Sequence, residues 1–327
     1  MYTKKNYSFW MTFIWSKKAF IIGLLYSAVV ISLSHFSNFD FYIPWQPIGV
    51  IGVAVAFYLG FKNNSSYDRT WEARKIYGGI VNDSRSFGAS AISFVKGDGD
   101  EAIVKELIYR HIAWLTSLRH QLRLAKPWEH SKSRLTELYM PTICESYDKK
   151  LNNELKQYLS DEEIEKTSNK ANRATQILKL QSIRLQELRD QGYFEDFRHM
   201  ELHRLITNMY TGQGKAERIK NFPFPRQYAS TALWVTFVFC ALVPLGLIVL
   251  FRDSIWTEMF CVFISAVIIW IFFLMEKIGD YSENPFEGTF NDVPITSISI
   301  GIEIDLREMI NDENIPKPMQ AENGFLL

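Results

Sequence analysis

The sequence predicts an all-α membrane protein with four membrane-embedded helices and a large helical region outside the bilayer. Three observations predict it. Apolar residues gather into four runs, two near the start and two between Tyr228 and Met275. A polar block with helical spacing separates the two pairs. No stretch of any length alternates apolar and polar residues as a half-buried strand would.

The first run, "AFIIGLLYSAVVISLSHF" from Ala19 to Phe36, is slightly short of the ~20 residues that cross a bilayer. The second covers roughly Ile43 to Phe61 and contains Pro44 and Pro47, so its unbroken helix is expected to fall short of a full span. The third, "YASTALWVTFVFCALVPLGLIVLF" from Tyr228 to Phe251, and the fourth, "IWTEMFCVFISAVIIWIFFLM" from Ile255 to Met275, are each long enough. The organisation is therefore an N-terminal segment (1–18), two membrane helices (19–61), a helical block (62–227), two further membrane helices (228–275) and a C-terminal segment (276–327).

Lys4, Lys5, Lys17 and Lys18 precede the first run, Ser34 to Pro44 has no Lys or Arg, and the turn between runs three and four has only Arg252. By the positive-inside rule both termini and the polar block face the cytoplasm. Trp10, Trp15, Trp45 and Trp256 lie near span ends, where interfacial aromatics collect.

Within the block, helical periodicity is clear in "EAIVKELIYRHIAWLTSLRHQLRLA" and in "NRATQILKLQSIRLQELRDQG", with Gly192 placed to cap the latter. Ser160 precedes a run of acids, a helix-start pattern. Pro223 and Pro225 end the block. The tail after Pro316 reads as extended, polar and loose.

The chain has 327 residues and equal numbers of basic and acidic side chains, 36 of each, a balance that gives no reason to expect a nucleic-acid partner. Cys144, Cys240 and Cys261 are scattered and fit neither a zinc site nor a disulfide framework. There is no phosphate-binding glycine loop and no nucleophile elbow, so neither a cofactor nor an enzyme activity is expected. His199 and His203 have a spacing that can share a metal, but no third ligand accompanies them. Glu258 and Glu276 flank the fourth run and are expected to be solvated at the membrane edge.

One stretch combines several of these features. "VAVAFYLGFKNNSSYDRTWEARK" begins apolar at Val53 and turns polar at Lys62 with no proline between. Val53, Phe57 and Phe61 are four residues apart and share one helix face. A stripe of this kind ordinarily packs against other helices of the same chain. Asp68, Arg69, Glu72, Arg74 and Lys75 follow at spacings that suit structural ion pairs.

This stretch, with "ERIKNFPFPRQY" and "ENPFEGTFNDVPITSISIGIEIDL" in the same order around the four runs, resembles the bestrophin family of membrane ion channels, specifically its bacterial branch. The resemblance covers roughly Ser16 to Asp312. It implies a homopentamer around one central pore in the bacterial inner membrane, passing small monovalent ions, chloride or other small anions first. It also implies a neck formed by Val53, Phe57 and Phe61, with Val53 smaller than the isoleucine usual in the family. A cytosolic aperture is implied too, and counting back from Arg218 without gaps places it at Leu205 or Ile206. Animal bestrophins follow "NPF" with acids that clasp calcium. Here Glu287 and Asp292 are the only local carboxylates, so a calcium clasp is not supported. The "NPF" segment is expected to anchor the tail against the next protomer. A monovalent cation channel of the same fold is the alternative, with a transporter or a membrane-anchored scaffold beyond it.

Overall fold

The computed structural model describes residues 1–36, 43–130 and 151–327; Cys144 lies outside them. Among the described residues the regular elements are helices. They are α1 (Phe9–Phe36), α2 (Trp45–Phe94), α3 (Asp100–Arg123), α4 (Leu151–Leu155), α5 (Asp161–Ser168), α6 (Arg173–Asp190), α7 (Asp196–Asn221), α8 (Arg226–Leu247), α9 (Ile255–Ser282) and α10 (Ile295–Met309). Four helical segments are long and apolar enough to cross a membrane, and they correspond to the four apolar runs.

Two of these differ from the sequence expectation. Helix α1 starts at Phe9 and has 28 residues, so the first run is not short. Lys17 and Lys18 lie inside the helix and are exposed; their long stems let the charges reach polar surroundings without ending it. In α2 the prolines start the helix rather than interrupt it. Pro44 is the N-cap and Pro47 sits in the first turn, where a missing N–H leaves no helical bond unmade. From there α2 runs unbroken for 50 residues.

The core divides in two. One apolar cluster joins the membrane helices through Ile31, Ile48, Val55, Leu59, Phe239 and Ile269. A larger one joins the polar block through the far half of α2 and α3, α6, α7 and α10, around Tyr77, Phe87, Trp114 and Leu185. Helix α2 belongs to both. Its membrane half packs on α8 and α9, and its far half on α7, α10 and α3.

Local signals behave as their chemistry requires. Ser160 accepts from the Glu163 N–H while the Glu163 carboxylate accepts from the Ser160 N–H, a complete capping box. Asn172 caps α6, and Gly192 follows its end at φ +85°, a conformation costly for a residue with a Cβ. The tail, by contrast, is not loose at its end. Phe325 and Leu327 are buried, Ser297 donates its N–H to the Leu327 carbonyl at 2.7 Å, and Phe325 pairs with Tyr2 as an isolated bridge. Phe325 also packs against Phe290 and Tyr7, so apolar burial holds a segment that polarity alone would leave free.

Candidate functional site

The stripe on α2 is exposed along its whole length. Val53 is 65%, Phe57 67% and Phe61 58% exposed, while Val55 and Leu59 on the opposite face are buried. That buried face is keyed to its neighbours. A Cβ at Gly52 would stand 2.7 Å from the Phe239 ring, so glycine is what lets α8 approach here. The exposed face has no comparable partner, and a Cβ at Gly60 would meet nothing within 4 Å. The Phe57 and Phe61 rings lie 5.7 Å apart and tilted by 57°.

One residue beyond Phe61 the helix carries a fully buried lysine. The Lys62 Nζ donates to the Glu276 Oε1 of α9 at 2.7 Å. The Lys62 stem runs close to Gly279 of α9, where an added Cβ would stand 3.4 Å from it and 2.4 Å from the Asn63 Oδ1. Glu276 is therefore an internal ion-pair partner and not a solvated edge acid. Glu258, at the other end of α9, pairs with His35 at 3.0 Å. Neither partner was legible, because each pair joins residues more than 200 positions apart.

Further along α2, Glu72 and Lys75 form an ion pair at 2.7 Å. Arg69 donates to the carbonyls of Glu283, Ile219 and Phe222, tying α2 to α7 and to the end of α9. The Glu72–Lys75 pair is one the spacing suggested, whereas the Arg69 partners are backbone carbonyls 150 or more residues away.

Leu205 and Ile206 do not face outward. They are 3% and 1% exposed and belong to the core between α2, α6 and α7. A side chain packed inside its own chain cannot form the rim of an opening. On the same helix Phe197 is 84% exposed. Phe197 stands in the first turn of α7, beside Arg198, whose guanidinium lies 5.7 Å from the Phe94 ring at the far end of α2. By its rise of ~1.5 Å per residue, α2 puts that end about 50 Å from Phe61.

The "NPF" loop between α9 and α10 is packed against its own chain. Phe286 is buried against Tyr77, and Asn284, Thr289 and Asp292 are buried too. Asp292 accepts from the N–H groups of Gly288 and Thr289 and from the Thr289 hydroxyl, and Arg123 of α3 reaches it at 3.3 Å. Glu287 and Asp280 both face His130, at 3.0 and 3.1 Å. Burial acts to lower the pKa of that imidazole, but the two carboxylates outweigh it and hold it up at about 10. Burial pushes the Glu287 carboxyl up, His130 draws it down, and with Asp292 and Glu129 adding to the rise the net shift is upward. Glu129 is paired with Lys220. The loop's acids are thus already engaged by side-chain cations and backbone donors. Among the described residues no cluster of His, Cys, Asp or Glu has the arrangement of a metal site. The His199 ring lies 6.1 Å from that of His203 and next to Phe194.

Residues 11–308 match the model of the family described as Bacterial/Fungal Bestrophin protein. The chain belongs to this bestrophin family. Its curated relatives include the voltage-dependent anion channel-forming protein RSc3414 of Ralstonia nicotianae, 28% identical over 94% of this chain and 90% of that protein. Another is the voltage-dependent anion channel-forming protein YneE of Escherichia coli, 26% identical over 94% and 90%. Among solved structures, a bacterial bestrophin homologue from Klebsiella pneumoniae matches with a TM-score of 0.75 at 20% identity, over 91% of this chain and 99% of that one. This bestrophin therefore shares both the helical fold and nearly the full length of its relatives.

Proposed function

We propose that this bestrophin is an ion channel that conducts small monovalent anions, chloride among them, across the bacterial inner membrane as a homopentamer. The observation that carries the reading is the exposed stripe of Val53, Phe57 and Phe61 on a membrane helix whose other faces are packed. Five such stripes around an axis make three stacked apolar rings, a constriction able to gate by dewetting. The positive edges of Phe rings favour a passing anion over what an aliphatic wall would offer. The names of the relatives support the same charge preference.

The cytosolic exit is formed by Phe197, in place of Leu205 and Ile206, because it alone among these is exposed and it lies at the far end of α2. Both termini and the block from Lys62 to Gln227 face the cytoplasm, as the lysines before α1 favour. The channel opens without calcium, since Asp292 and Glu287 already have Arg123 and His130 as partners. Ions pass and no bond is made or broken, so the protein is not an enzyme.

Purified protein in a planar bilayer under a potassium chloride gradient tests the reading. Discrete current steps reversing toward the chloride equilibrium potential are expected. Reversal toward potassium would make it a cation channel of the same fold, and saturable uptake without current a transporter. A silent bilayer with a tight cytosolic partner would make it a scaffold.

A further inference from the structure

The neck has no charged side chain in its stripe, so any full charge that adds to the bias of the Phe edges lies behind the wall. The Lys62–Glu276 pair is placed there. Lys62 follows Phe61 directly, is fully buried, and is held at 2.7 Å from a carboxylate that is itself largely buried. Such a pair is costly to bury and is often replaceable by apolar residues without loss of stability, so its presence calls for another role.

The orientation of the pair supplies one. The ammonium is carried by α2, the helix with the exposed stripe. The carboxylate is carried by α9, which packs behind α2 together with α8. The pair is therefore a fixed dipole with its positive member on the ring-bearing helix. In a low-dielectric wall the field of an oriented pair is weakly screened. Five copies would surround the inner ring with five positive ends while adding no net charge. Gly279 lies beside the pair, and a Cβ there would meet the Asn63 Oδ1 at 2.4 Å.

We infer that the Lys62–Glu276 pair is a selectivity-determining element of the neck, a buried dipole whose positive end biases the inner Phe61 ring toward anions. The inference rests on the channel reading above. It assigns the bias to the direction of the dipole, which a purely structural ion pair would not need.

The test is the charge-swapped variant Lys62→Glu/Glu276→Lys, compared with the parent in a planar bilayer under a potassium chloride gradient. The swap keeps an ion pair and keeps neutrality but reverses the dipole. Its assembly is checked by size-exclusion elution at the parent position. The expected result is a reversal potential displaced toward the potassium equilibrium value. An assembled, conducting swap with the parent's reversal potential overturns the inference and leaves the channel reading intact. A parent that carries no current overturns the channel reading itself. Should the swap not assemble, Glu276→Gln decides: it retains an acceptor for Lys62 and removes the negative end, so reversal moves further toward chloride. An unmoved reversal potential in that variant overturns the proposal equally.

Discussion

Phe57 and Phe61 stand one helical turn apart with their ring centres 5.7 Å from each other, both more than half exposed on a helix whose back is buried. Two aromatic rings left open on a membrane helix expose a large apolar area with no partner in their own chain. Replacing Val53, Phe57 and Phe61 together by alanine removes the bulk of the stripe. Single-channel conductance is expected to rise, because the constriction widens and wets more readily. Unchanged current through an intact assembly would remove these residues from the pathway.

Phe197 and Leu205 separate exposure from burial on one helix. Phe197→Ala is expected to alter conductance or rectification and leave the melting temperature almost unchanged, as surface substitutions do. Leu205→Ala opens a cavity in the core of the polar block and is expected to cost about 2–5 kcal/mol of stability, read as a lower melting temperature in detergent, with conductance preserved. The reverse pattern would return the exit to Leu205.

His130 gives stability a pH dependence with a definite sign. Its ordinary pKa is 6.5 and in the folded protein it is held at about 10 by Asp280 and Glu287. A raised imidazole pKa contributes stability that is fully present below 6.5 and is lost as the pH climbs through 10. The melting temperature should therefore fall between pH 7 and 10, and fall less in His130→Gln. Parallel curves for the two proteins would show that the cluster does not hold the proton.

The loop that closes around Asp292 uses an arginine as its cation. Arg123→Ala leaves that carboxylate buried without its charged partner, and breaking a buried pair costs on the order of 3–5 kcal/mol. A clear loss of thermal stability is expected on heating in detergent. Adding a calcium chelator to the parent channel should leave its current unchanged, and a current that disappears would show that the loop takes a metal after all.

Much of the fold was legible because helices announce themselves locally. Gly192, Ser160 and the proline pair at Pro223 and Pro225 act within a turn of where they stand, so their positions mark the element ends. The α2 stripe was visible for the same reason, since a four-residue spacing defines a face without reference to the rest of the chain. What stayed hidden depends on distant parts. Nothing near Leu205 distinguishes it from Phe197 until α2 and α6 cover one and leave the other bare. Lys62 reads as the start of a polar segment and becomes an internal cation only when α9 arrives with Glu276 and Gly279. The apolar Phe325-Leu326-Leu327 at the end of a polar tail was a signal of anchoring that the overall polarity concealed.

The unbroken 50-residue run of α2 also has a mechanical side. At ~1.5 Å per residue it is a rod about 75 Å long, and it has no proline after Pro47 to absorb a twist. A rotation imposed at the Phe94 end is delivered along the axis to the stripe, except where the rod is soft. Gly78 and Gly79, adjacent and with open space where their side chains would be, are that place. They lie about 26 Å from Phe61 along the helix, and they set how much torque from the Phe94 end arrives at the stripe as rotation and how much is spent as bending.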